Sequence, residues 1–251
     1  MNQSSQRKQS LLVHLEKLEK LGNVSKINAK IEEIIDIIER KHFIEDEKDV
    51  NTGRTPLMLS ITLKNDVIAL SLIASGMGNI GAVDFYGNTA LMIACDKEME
   101  EVALAILETG QSKPDAIKPD AINDNGNTAL IFACKNKMKE VALAILGTGE
   151  SKPDAINNNG TTALIIACIN NMEVVALAIL ETGQSKPDVI NKNGNTALIF
   201  ACINNMVVVA LAILQTGQSK PDTINNNGST ALIFACDKEM EEVALAILET
   251  G

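Results

Sequence analysis

The chain is 251 residues long, carries a formal net charge of −10, and is 46% hydrophobic but only 2% aromatic. That balance excludes nucleic acid as a partner, because phosphate contacts need clustered Lys and Arg and base contacts need aromatic platforms. No uncharged apolar stretch reaches the roughly 18 residues of a membrane span, and charge interrupts the run from Leu11 to Glu16 before a signal-peptide hydrophobic region can form.

Residues 1–49 are expected to hold two helices, Ser10 to Leu21 and Ser25 to Arg40. Ile31, Ile34, Ile35 and Ile38 form an i, i+3, i+4, i+7 stripe, with Lys and Glu on the other faces. A degenerate repeat capping an array is the simplest reading, and a private partner-binding helix pair is the alternative.

From Val50 onward a Gly-x-Thr recurs at Gly53/Thr55, Gly87/Thr89, Gly126/Thr128, Gly160/Thr162, Gly194/Thr196 and Gly228/Thr230. The threonine spacings are 34, 39, 34, 34 and 34. The long one arises because the five residues Lys113 to Ile117 are copied at once as Lys118 to Ile122. The repeats are bounded at 50–83, 84–122, 123–156, 157–190, 191–224 and 225–251. A period of this size describes units that cannot bury an apolar face alone and must stack on their neighbours, so function is expected along an extended surface and not in a pocket.

One repeat, Asn157 to Ile190, reads as follows. Asn157 to Gly160 is turn chemistry, with glycine supplying a left-handed backbone. Thr162 to Cys168 is a short helix with Thr162 serving the free amides of its first turn. Asn170 and Asn171 end it. Met172 to Leu180 is a second helix, apolar around most of its circumference and so suited to lying between two neighbours. Gly183 closes it, and Pro187 keeps the following polar loop from continuing the helix.

The five cysteines, Cys95, Cys134, Cys168, Cys202 and Cys236, each fall six residues after a repeat threonine. Stacked helices lie about 8–10 Å apart and a disulfide wants Cα atoms closer than about 7 Å. Five buried, unpaired thiols are therefore expected, in a reducing, intracellular compartment. In that setting the N-x-S/T triplets at Asn23, Asn159 and Asn227 carry no sugar.

Tetratricopeptide repeats share the 34-residue period but depend on large aromatics that this chain does not have. The pattern Asn-x-x-Gly-x-Thr-Ala-Leu-x-x-Ala-Cys, then Glu-Val-Ala-Leu-Ala-Ile-Leu and a final Gly, instead resembles the ankyrin repeat. The resemblance covers about four-fifths of the chain and implies an all-α ankyrin-repeat solenoid of stacked antiparallel helix pairs with hairpin-like loops. There are departures. Only Thr55-Pro56-Leu57 keeps the family's proline, and Met58, Met92, Ile131, Ile165, Ile199 and Ile233 stand where it has histidine. The glycine that ends the family's first helix is replaced by Glu98, Lys137, Asn171, Asn205 or Glu239, which leads to a looser turn being expected in some repeats.

The resemblance further implies a non-catalytic scaffold that binds a protein partner on its concave face. The family's contact positions correspond here to Asp124, Asn125 and Asn127, to Asn158 and Thr161, to Lys192 and Asn195, and to Asn226 and Ser229 on the hairpins. At the first-helix ends they correspond to Asp96, Lys97, Lys135, Asn136, Ile169, Asn170, Ile203, Asn204, Asp237 and Lys238. Ile169 and Ile203 are expected to form an apolar centre with charged flanks. The alternative is a targeting adaptor, in which the array binds a substrate protein and residues 1–48 recruit other machinery. The near identity of the copies is similar to ankyrin arrays of large DNA viruses and intracellular bacteria, many of which act on host proteins, so the chain is expected in the cytoplasm, its own cell's or a host's.

Other constellations are weaker. Gly76 to Gly81 matches G-x-G-x-x-G, but it follows a helix where dinucleotide binding needs a strand. The only histidines, His14 and His42, lie outside the array, and the cysteines are spread one per repeat, so neither a catalytic thiol–imidazole pair nor a metal centre is expected. No cofactor is expected. The recurring Met99, Met138, Met172, Met206 and Met240 read as packing. Leu104, Leu143, Leu177, Leu211 and Leu245 read as buried between helices, or else as a convex apolar line. Ala235 to Gly251 repeats Ala94 to Gly110 residue for residue, so the last helix carries an interior face. A further repeat, a partner or another copy is expected on it, unless a frayed end is tolerated.

Overall fold

The computed structural model describes residues 10–21, 24–39, 47–76, 78–112 and 117–250. These carry α1 (Leu11–Glu19), α2 (Val24–Glu39), α3 (Pro56–Thr62), α4 (Asp66–Ala74), α5 (Ala90–Asp96), α6 (Glu100–Ser112) and α7 (Ala129–Lys135). They continue with α8 (Lys139–Gly147), α9 (Ala163–Ile169), α10 (Glu173–Glu181), α11 (Ala197–Ile203), α12 (Val207–Gln215), α13 (Ala231–Asp237) and α14 (Glu241–Thr250). Extended structure among the described residues is limited to an isolated antiparallel bridge between Val83 and Thr89. The fold is an all-α repeat solenoid.

Two compact units divide it, residues 1–121 with α1 to α6 and residues 122–251 with α7 to α14. In the first, α1, α3 and α5 pack in succession, as do α2, α4 and α6. In the second, α7, α9, α11 and α13 form one layer and α8, α10, α12 and α14 the other. The core of each unit is small and aliphatic. Leu130, Val141, Ile145, Leu164, Val175, Ile179, Ala201, Val209 and Ile213 are fully buried. In the first unit α1 and α2 stack on α3 and α4 as one repeat stacks on the next, burying Leu11, Leu15, Ile34 and Ile38 while Glu16, Lys17, Lys26, Glu32 and Asp36 face solvent. His14 contacts Lys30 and Glu33 within this pair, and His42 lies outside the described residues.

Why each first helix starts and stops where it does can be read from its bonds. The threonine is the N-cap in all six repeats, extended in φ and ψ, with Oγ1 accepting the amide three residues on, as in Ile165 N–H to Thr162 Oγ1 at 3.3 Å. The apolar residue in place of histidine leaves that cap intact and is buried in repeats one to five. At the other end Asn171 donates to Cys168 O at 3.3 Å and Met172 to Ala167 O at 2.9 Å, the paired bonds that close a helix through one left-handed residue.

The expectation of a looser turn is therefore overturned. Glu98, Lys137, Asn171, Asn205 and Glu239 all hold φ between 54 and 60°, the same left-handed turn in every copy. Burial of the following methionine, at 9% exposure or less in all five, locks the turn from inside. A left-handed non-glycine residue costs about 1 kcal/mol, partly offset by the extra unfolded-state freedom of glycine. Lys137→Gly and Glu239→Gly are each expected to stabilise by about 0.5 kcal/mol, read as a higher urea midpoint, with less gain at Asn171 because asparagine tolerates this geometry.

Candidate protein-interaction surface

Each hairpin is organised by one buried or half-buried side chain. Asn157 Oδ1 accepts the amides of Asn159 and Thr161, both at 3.0 Å, and Gly160, at φ 72°, lets the chain reverse above it. Gly126 shows why glycine is needed, since a Cβ there would stand 2.7 Å from the Asn157 Cα of the next hairpin. The tips are joined by backbone bonds, Asn158 N–H to Asn125 O at 2.9 Å, Lys192 to Asn159 at 3.4 Å and Asn226 to Asn193 at 3.1 Å. Side chains reinforce them. Asn157 and Asn225 donate through Nδ2 to Asn127 and Asn195 Oδ1 at 3.0 and 2.8 Å. Asn158 and Asn226 donate to the carbonyls of Asp124 and Lys192.

A second asparagine series runs along the helix ends. Asn170 Nδ2 donates to Cys134 O at 2.8 Å and Lys135 O at 3.2 Å, and Asn204 to Cys168 O at 2.7 Å and Ile169 O at 3.2 Å. Lys135 O and Ile169 O lie at helix C-termini, which leave carbonyls without an intrahelical partner, while Cys134 O and Cys168 O, which already accept the amides of Lys137 and Asn171, gain a second bond. Several residues expected at a partner interface thus also hold one repeat to the next.

The first unit carries Asp96 and Lys97, paired at 3.2 Å. All other expected contact residues lie in the second. There Asp124, Asn125, Lys135, Asn158, Ile169, Lys192, Asn226, Asp237 and Lys238 are exposed, and Asn127, Asn136, Thr161, Asn170, Asn195, Ile203, Asn204 and Ser229 are half-buried. Lys135 sits 5.9 Å from the Phe132 ring centre, within cation–π range. Lys186 and Lys220 reach Asp154 and Asp188 of the preceding repeat at 3.1 and 3.5 Å, exposed pairs of small energetic weight.

Four exposed apolar residues were not anticipated from the sequence, two of them in the second unit. Val174 and Val208 are the second residues of α10 and α12 and are 52% and 54% exposed. The signal was available, since Glu140 and Glu242 occupy the same slot in the flanking copies. The other two are Phe85 and Tyr86, exposed on the first unit's last hairpin tip.

The thiols divide four to one. Cys95, Cys134, Cys168 and Cys202 are buried, whereas Cys236 is exposed, which corrects the expectation of five buried thiols. Burial pushes Cys134 and Cys202 up to about 12 and Cys168 higher still, its neighbours Cys134 and Cys202 adding to the effect. Because the thiolate is the reactive form, a maleimide is expected to label one thiol per native chain and five after denaturation, by intact mass. Cys236 is exposed because no helix pair lies over α13 and α14 among the described residues. Leu245 and Leu248 of that face are exposed too, whereas Leu104, Leu143, Leu177 and Leu211 are half-buried.

Among the described residues no group of three or more His, Cys, Asp or Glu is arranged to hold a metal ion, and no helix is long and apolar enough to cross a membrane. Gly76 and Gly78 flank Met77, which lies outside the described residues. They follow α4 and not a strand.

Stacked helix pairs with capped corners, hydrogen-bonded hairpins and copy-to-copy variation on exposed slots define a helix-pair repeat protein. A family model for ankyrin repeats matches at residues 28–117, 114–187 and 173–251, and the chain belongs to the ankyrin-repeat family. Its members generally mediate protein–protein interaction and are typically non-catalytic. The ankyrin repeat domain of Bcl-3, a member of the IkappaB protein family, is similar in structure with a TM-score of 0.61 at 21% identity, over 96% of this chain and 99% of that one. A chain from the complex of a predatory endopeptidase of Bdellovibrio bacteriovorus with an immunity protein gives 0.57 at 22%, over 82% and 100%. At such identities the likeness is one of fold. Comparison with curated proteins finds no match.

Proposed function

We propose that the array is a non-catalytic scaffold that holds a protein partner across the hairpin tips and first-helix ends, the side that is concave in ankyrin proteins. The observation that carries this reading is the exposure of Ile169, 42% accessible at a helix end whose own carbonyl is already satisfied by Asn204. An isoleucine held open on a rigid frame has packing to offer a second molecule. Around it the repeated frame is nearly constant and the exposed slots differ, so specificity rests on the latter.

A partner identified by affinity capture, then purified and titrated against the full chain, tests the reading. Ile169→Asp with Ile203→Asp is expected to weaken binding at least about tenfold, or about 1.4 kcal/mol. Asp124→Lys with Lys192→Glu probes the hairpin tips separately. Unchanged affinity in both variants would sink the proposal.

A further inference from the structure

We infer that the helix-to-helix turns of the second unit dock an amphipathic α-helix of the partner, acidic at its N-terminal end, aliphatic at its centre and basic at its C-terminal end. This rests on the scaffold reading and adds to it the partner's secondary structure and charge order.

The centre comes from two adjacent repeats. Ile169 and Ile203 end α9 and α11, Val174 and Val208 are the second residues of α10 and α12, and α9 packs on α11 as α10 packs on α12. Both slots are aliphatic in these two copies. In the copies on either side the same slots are charged, Lys135 and Glu140 before, Asp237 and Glu242 after. Val67 shares the valine slot in the first unit, where Thr62 ends the preceding helix, so the aliphatic pairing is confined to the second unit.

The flanks carry opposite sign. On one side the turn holds Lys135, Lys137 and Lys139 against Glu140, and on the other Asp237, Glu239, Glu241 and Glu242 against Lys238. Lys137, Lys139, Glu239, Glu241 and Glu242 are exposed. An apolar centre with charge confined to its rim is the usual anatomy of a protein interface, and the rim's sign selects the partner.

Backbone chemistry decides between a helix and an extended segment. Strand addition draws its affinity from free main-chain groups, but the carbonyls at these helix ends are taken by Asn170 and Asn204. A helix satisfies its own backbone and needs only side-chain contacts. Three inter-repeat steps of about 8–10 Å separate the lysine turn from the acidic turn, a span that about 16–20 helical residues cover at 1.5 Å each. Orientation follows from the helix dipole, which favours acidic residues at the N-terminus and basic ones at the C-terminus. The acidic end then faces Lys137 and Lys139, and the basic end faces Glu241 and Glu242.

The test uses three synthetic 20-residue helical peptides with one leucine face, titrated calorimetrically into the full chain. One carries Glu in its first turns and Lys in its last, one carries Glu at both ends, and one carries Lys at both ends. The bipolar peptide is expected to bind at least about tenfold tighter than the other two. Val174→Asp with Val208→Asp is expected to remove that binding, and Lys137→Glu with Lys139→Glu to move the preference to the all-Lys peptide, while circular dichroism and thermal midpoint stay near the parent's. Absent binding, equal binding of the three peptides, or binding insensitive to Val174 and Val208 overturns the inference. So does binding lost only with Leu245→Lys and Leu248→Lys, which would assign it to the uncovered face of α14. A natural partner sensitive to Asp124 and Lys192 but not to Val174 and Val208 would leave the scaffold reading standing and remove this one.

Discussion

Alanine in place of Ile199 is expected to cost about 2–5 kcal/mol, and the same change at Ile233 less than about 1 kcal/mol. The two isoleucines sit in an identical seven-residue stretch, Thr196 to Cys202 and Thr230 to Cys236, yet Ile199 is 1% exposed and Ile233 is 44% exposed. What differs is the neighbour. Helix α13 lies over α11, and among the described residues no further first helix stacks on α13. Deleting three carbons from a closed site removes burial and leaves a cavity, whereas water fills the gap at an open one. Urea denaturation followed at 222 nm checks the pair. Equal losses would mean that a repeat packs within itself, contrary to nearest-neighbour stabilisation of a stacked array.

The second large effect belongs to Asp84, whose side chain is fully buried in the first unit. Its Oδ1 accepts the amides of Tyr86 at 3.0 Å and Asn88 at 2.8 Å, and Oδ2 receives Arg54 Nε at 3.4 Å. Asp84→Ala would take the acceptor from two part-buried amides and leave Arg54 with Thr62 as its remaining partner, at about 3 kcal/mol. Asp84→Asn keeps an acceptor for the amides and is expected to cost about 1 kcal/mol. That contrast has a natural control, because Asn123, Asn157, Asn191 and Asn225 hold the same slot in later copies and bond the same two amides of their own hairpins. If Asp84→Asn proved as damaging as Asp84→Ala, the ion pair with Arg54 and not the amide bonds would be what holds this corner.

The helices were legible because their stop and start signals are local. Thr162, Asn171 and Gly183 act within a few residues of themselves, and the structure places α9 and α10 within one residue of the expected spans. The left-handed turn was misjudged at Glu98, Lys137 and Glu239 because residue preference argues against it there. Burial of Met99, Met138 and Met240 outweighs that preference, and burial by a neighbouring element is not written in the turn itself. Cys236 failed for the same reason, since its sequence environment matches that of Cys202 while its spatial environment does not. Of the candidate surface, the hairpin tips could be transferred from a resemblance. The second task of Asn170 and Asn204 could not, because a bond across 35 or 36 residues depends on stacking distance.

The asparagine bonds between hairpins and between helix ends have an evolutionary consequence. The backbone bond between successive hairpins is made by equivalent atoms at all three joints of residues 122–251, so excising residues 157–190 would bring Asn191 to the slot of Asn157 and Lys192 to that of Asn158, and the joint would close with Lys192 N–H on Asn125 O. Nothing in the stacking chemistry counts copies. Unequal recombination can therefore lengthen or shorten the array in whole units without passing through an unfoldable intermediate. Selection then acts on the number and order of exposed slots, free of the need to rebuild a core.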